Sequence, residues 1–255
     1  MSNQYFSLAR FGRLLRQHLQ AHAGSYALQA VVLLGAMLAV MGGLAYLQGS
    51  PPPTSAQQFF LLLFMLGGAS YFASTLLAEY GQGSRAALAL LLPASQAEKF
   101  LVAWLLSGPL FLVVFLAEFY LADYLVVSLG NPPGVLYNVF AEPARWQELL
   151  QNFVLAQSLG LWGSILFRRQ QFARTAFVVF GAGVLLSFVN FRVLKALVNT
   201  GLSFTTLFGS PRLTDFDGLQ LRLPATALPW LAWLPLALAA LLWAAAYARL
   251  TEKQL

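Results

Sequence analysis

This chain reads as an all-α membrane protein of six spans, and three observations carry that reading. Its 255 residues are 59% hydrophobic and only 9% charged, where a water-soluble domain usually carries about a quarter charged residues. Gly24 to Ala78 and Leu223 to Ala248 contain no charged side chain, and a spanning helix needs only about 20 apolar residues. Between the apolar segments stand proline, glycine and charge clusters: "QGSPPPTS", "LGNPPG" and "RRQQFAR". So few charges cannot cover a water-facing surface, and the bilayer is the expected solvent.

The first element is an amphipathic helix over residues 3–22. Projected at about 100° per residue, Tyr5, Leu8, Phe11, Leu14, Leu15 and Leu19 share one face, and Arg10, Arg13, Arg16, Gln17 and Gln20 share the other. Phe6 alone is out of place. This is the pattern of a helix lying in the membrane interface with its arginines toward anionic headgroups. Two roles fit it: a topology anchor, or a lever that braces the first span against a cytoplasmic partner.

Spans are expected at 26–47, 57–78, 100–121, 148–167, 175–191 and 227–248, within a single transmembrane domain over residues 1–255. With the N-terminus inside, Arg10, Arg13, Arg16, Arg85, Lys99, Arg168, Arg169, Arg174, Arg249 and Lys253 fall on the cytoplasmic side. Arg145, Arg212 and Arg222 fall opposite, with Arg192 and Lys195 near the outer end of the fifth span. That bias predicts both termini in the cytoplasm.

The segment over residues 84–99, in "GQGSRAALALLLPASQAEKF", separates the second span from the third. Gly81 and Gly83 suit a helix end, and Ser84 suits the cap of a short helix from Arg85 to about Leu92. Eight such residues extend about 12 Å. Pro93 stops the helix by excluding the α conformation from the residue before it. Ser95 to Glu98 then has the S-x-x-E form of a capping box, with Glu98 complementing the helix dipole of the third span and Lys99 holding its end. The short helix is far more apolar than a cytoplasmic loop requires, through Leu88, Leu90, Leu91 and Leu92. Its face either tucks against the membrane and the bundle or docks on another protein.

The basic N-terminal helix, the six spans and the pattern R-x₇-P-A-S-x-x-E-K together resemble the ABC-2-type transporter permeases. The resemblance implies that the segment between spans two and three is a coupling helix docked on an ATPase subunit. Arg85, Leu88, Leu91 and Leu92 would form it, and Pro93, Ser95, Glu98 and Lys99 its exit into the third span. The N-terminal helix would match the family's connecting helix. Residues 192–226 would match its extracellular re-entrant helices, although their composition is that of a polar loop. The resemblance further implies an exporter of the bacterial inner membrane, paired with a second permease copy or a relative. ATP and Mg would belong to the ATPase subunit, since this chain has no GxxxxGK[ST] loop of its own.

Other chemistry is poorly provided for. Cysteine is absent, which excludes disulfides, thiolate metal sites and a cysteine nucleophile. The net charge of +6 lies between apolar runs, where topology rather than nucleic acid accounts for it. An N-terminal signal peptide fits poorly with a charged opening followed by a span of full length. His18 and His22 are spaced i, i+4 but lack the glutamate of a HExxH motif, so no metal site is expected. "GGASYFAS" and "GLWGS" offer serines without a histidine base beyond His22, and read as small residues for close helix packing. No catalytic or cofactor-binding residue is assigned. A membrane-embedded enzyme, using polar groups such as Gln157, Ser158 and Asn190, and a non-transporting scaffold or assembly factor are the competing classes.

Glu118 and Asp123 stand toward the end of the third span, Glu118 about 27 Å along the helix from Phe100. They read as interfacial anchors, or as an outer gate in which Glu118 pairs with Arg192 or Lys195.

Overall fold

A computed structural model describes residues 6–77, 95–128, 134–167, 170–198, 212–214, 220–222 and 233–252. Helix dominates them. The order is α1 (Leu8–Gln48), α2 (Thr54–Leu76), α3 (Gln96–Leu105), a π-helical turn (Leu106–Leu110), α4 (Phe111–Ser128), α5 (Pro143–Leu166), α6 (Gln171–Val198), a ribbon of β1 (Arg212–Thr214) and β2 (Gln220–Arg222), and α7 (Leu234–Glu252). Six helical stretches are long and apolar enough to cross a membrane, counting Gln96–Ser128 as one.

The expected interfacial helix and first span are one helix of 41 residues, about 61 Å long. The physical reason is the junction: only Gly24 weakens it, and an internal glycine costs a helix about 1 kcal/mol, too little to break it. The face carrying Phe11, Leu14, Leu15 and Leu19 packs on the same cluster as Leu76, Val102 and Leu250, so it is protein that this face covers. Helix α1 ends where the sequence punctuates, at Gly49 with φ 64°, whose N–H donates to Tyr46 O.

The third span bends its hydrogen-bond ladder at Pro109. Proline cannot donate a backbone N–H and crowds the preceding turn. A wider π turn over Leu106–Leu110 accommodates it, and Ser107 Oγ donates back to Ala103 O at 2.7 Å.

Helix α5 is the hub, packing on α2, α6 and α7. Its small residues explain why. A Cβ at Gly160 would lie 2.6 Å from Ser70 O of α2, and one at Gly163 would collide with Thr175 of α6. Ser70 Oγ also donates to Ala156 O at 3.3 Å. Such crossings are how helices associate where water gives no drive. Apolar faces turned outward, such as Phe177 and Phe180 of α6 at 79% and 74% exposure, suit a lipid surround.

Side chains gather in two clusters. One holds Met37, Met41, Leu61, Phe115 and Phe119 toward the far end of the bundle. The other holds Leu77, Val102, Leu106, Leu161 and Leu250 at the basal end, where α1 begins. The ribbon, with Arg212 opposite Arg222, falls within residues 192–226, as does the last turn of α6. The calls at 84–94 and 227–232 lie outside the described residues.

Candidate functional site

Where the segment 84–99 is described, it converges on one carboxylate. Ser95 is the extended N-cap of α3, and the capping box closes in both directions. The Glu98 amide donates to Ser95 Oγ at 3.2 Å, and the Ser95 amide donates to Glu98 Oε2 at 3.0 Å. The other oxygen reaches across to α1. Ser7, the N-cap of that helix, donates its N–H to Glu98 Oε1 at 2.9 Å. Arg10 Nη2 lies 3.4 Å from the same oxygen.

One carboxylate therefore serves two helix N-termini and a guanidinium. Helix starts present unpaired N–H groups and the positive end of the dipole, so a single anion stabilises both. The Glu98 side chain is fully buried, while that of Arg10 is 28% exposed. Burial of this charge is tolerated because its bonds are made. The junction ties the start of α3 to the start of α1.

Two residues expected at the exit of the segment are placed by this junction. Glu98 and Lys99 are 0% and 2% exposed, so both are turned into the protein and hold the exit of the segment in place. Arg85, Leu88, Leu91, Leu92 and Pro93 lie outside the described residues. Arg13 and Arg16 are exposed on α1, as the helical projection predicts, and Arg10 is the arginine drawn inward.

Of the residues expected to form an outer gate, Glu118, Asp123 and Arg192 do not meet among the described residues. Asp123 is fully buried and accepts the Tyr137 N–H at 3.3 Å. Around it, Tyr120 Oη accepts the Val139 N–H at 3.1 Å, and Gln57 Nε2 donates to Val135 O at 2.9 Å. Asp123 thus anchors the strap 134–142 over the far end of α2 and α4. Arg192 sits on α6, its guanidinium carbon 5.1 Å from the Phe188 ring centre. Among the described residues no ion pair joins it to Glu118 or Asp123. The side chain of Lys195 lies outside what is described.

Glu118, expected as an interfacial anchor, stands inside α4 and not at its last turn. It lines a cavity of about 530 Å³ between α1, α2 and α4, with Gly67 and Gly68 from the middle of α2. Its Oε2 is buried with no hydrogen-bond partner among the described residues, as is Oε1 of Gln29 in the same wall. Gly68 packs on Phe111, as the small-residue reading predicts, but a Cβ at Gly67 would meet nothing within 4 Å.

Polar groups named for an enzyme are engaged in the fold. Gln157 Nε2 donates to Ser107 Oγ at 2.8 Å, and Trp243 Nε1 donates to Gln157 Oε1 at 2.9 Å. Ser158 Oγ donates to Leu155 O. The Asn190 side chain lies outside what is described. His18 Nε2 is 2.7 Å from Tyr26 Oη, and the rings of His18 and His22 lie 4.5 Å apart.

Sequence reasoning missed Gln29 and the pairing of Arg10 with Glu98. Gln29 carried a signal, as the one amide side chain within 26–47. Arg10 and Glu98 carried a weaker one: opposite charges at the starts of helices expected to face the same side. Comparison of the chain with protein-family models, with characterised proteins and with solved structures finds no match.

Proposed function

We propose that this chain is the transmembrane permease subunit of an ABC-type exporter in a bacterial inner membrane. A separate ATPase subunit, using ATP and Mg, docks on the coupling segment 84–99. A second copy or a related permease completes the pathway, and both termini face the ATPase. The chain itself carries no catalytic role.

The Glu98 junction is the observation that supports this reading. A force transmitter needs its moving segment joined stiffly to the spans, and Ser95, Glu98, Ser7 and Arg10 supply such a joint at the segment's exit. The resemblance in Arg85 to Lys99 supplies the ATPase as the source of the force.

Replacing Leu88, Leu91 and Leu92 together by glutamate tests it. Purified from native membranes, the wild-type chain is expected to bring an ATP-hydrolysing subunit with it. The triple variant should insert normally and lose that subunit. Equal recovery of the subunit and its ATPase activity would overturn the docking assignment.

A further inference from the structure

The cavity beside Glu118 combines features that a packing defect does not. Its volume of about 530 Å³ is within the usual range for small-molecule sites, about 300–1,000 Å³. Its wall is an aromatic run: Tyr26 lies 5.3 Å from Phe72, Phe72 5.6 Å from Phe111, and Phe111 5.9 Å from Phe115, between ring centres. Two acceptor groups stand in this apolar surround, Glu118 and the amide oxygen of Gln29, each with a buried oxygen lacking a partner among the described residues. An unmet buried acceptor costs about 1–3 kcal/mol, and more when charged.

The two oxygens ask for the same complement. A carboxylate attracts a cation, and an amide oxygen accepts a donor. A purely hydrocarbon occupant would fill the volume and leave both acceptors unmet. Access is lateral: Leu28 and Val32 of α1, which line the cavity, are 64% and 61% exposed. A ligand would enter from the lipid phase, and its apolar part would meet an almost wholly apolar wall.

We propose that this cavity binds a single-chain amphiphilic ammonium compound, its N–H donors on Glu118 and Gln29 and its tail along Tyr26, Phe72, Phe111 and Phe115. The site stands independently of whether the chain is a permease. Glu118 supplies charge recognition and Gln29 a directional acceptor, while Gly67 keeps the volume open.

The test uses the full chain in phosphatidylcholine nanodiscs, with empty discs as the blank, and equilibrium dialysis of radiolabelled dodecylamine. Saturable excess binding is expected. Dodecyltrimethylammonium, which keeps the charge but has no N–H, should bind more weakly, and dodecanol more weakly still. Glu118→Gln should weaken dodecylamine by about tenfold or more, as loss of a desolvated charge partner does. Gly67→Leu should abolish binding by filling the space, and thermal unfolding of both variants should match the wild type. Three results would overturn the proposal: no excess over empty discs, equal binding by wild type and Glu118→Gln, or equal binding of dodecanol and dodecylamine. Displacement of dodecylamine by phosphatidylethanolamine added to the discs would assign the site to a lipid headgroup and overturn the single-chain ligand.

Discussion

Glu98 and Glu118 stand on one unbroken helical span, Gln96–Ser128, and they meet opposite fates. Glu98 is sealed at the basal end, where it receives two backbone N–H groups and faces a guanidinium. Glu118 borders an apolar cavity with a buried oxygen that none of the described residues satisfies. The same functional group is structural in one place and unspent in the other. Burial alone does not separate the two, because the more deeply buried carboxylate is the satisfied one. What separates them is whether the fold supplies donors, and a carboxylate without donors is where an external ligand gains most.

The largest expected effect tests the satisfied end. Glu98→Ala leaves the Ser7 and Ser95 amides without an acceptor and Arg10 without its anion. Breaking a buried pair by removing one partner costs about 3–5 kcal/mol, and a loss in that range is expected in denaturant unfolding of the detergent-solubilised chain. Arg10→Ala should cost less, since that side chain is partly exposed. In the double variant the two losses should fall short of adding, because both remove one shared contact. Additive losses would mean that the two residues act separately, and the joint between α1 and α3 would lose its basis.

Asp123 lies between the two extremes. It is buried like Glu98, yet among the described residues it accepts one N–H, that of Tyr137, and its Oδ1 has no partner. Asp123→Ala is expected to cost about 1–3 kcal/mol, the usual price of an orphaned buried group. The loss should be local. Amide exchange should quicken at Tyr137 and change little at Val139, which Tyr120 still holds. Uniform quickening along the third span would show that Asp123 supports the helix itself and not the strap.

Legibility in the sequence follows the range of the interaction. The Ser95 and Glu98 capping box was readable because its partners are three residues apart and the geometry of a helix start is fixed. The end of α1 at Gly49 and the close crossings at Gly160 and Gly163 were readable for the same kind of reason: a local conformation or a small side chain demands them. The continuity of α1 was not, because an amphipathic segment and an apolar one differ in what they face, while the backbone passing between them meets no obstacle. Arg10 and Glu98 meet only through the packing of separate helices, and periodicity carries no information on that. The π turn at Pro109 was not anticipated, since the span 100–121 was expected to run through it as regular helix. The cavity is the least legible feature, since it depends on where Gly67, Gln29 and Glu118 stand relative to one another across three helices.

The smallest expected effect is the most discriminating. Glu118→Gln preserves shape and breaks no hydrogen bond made within the fold, so stability should stay within about 0.5 kcal/mol of wild type, measured under the same conditions as Glu98→Ala. Glutamine keeps an acceptor and adds donors while removing the charge, so a neutral outcome separates charge from packing at this position. A loss approaching that of Glu98→Ala would mean that Glu118 has a structural partner, and its difference from Glu98 would vanish. Near-identity with wild type, beside a large loss at Glu98, would leave the carboxylate at the cavity wall with no task in folding, and therefore free to serve a ligand.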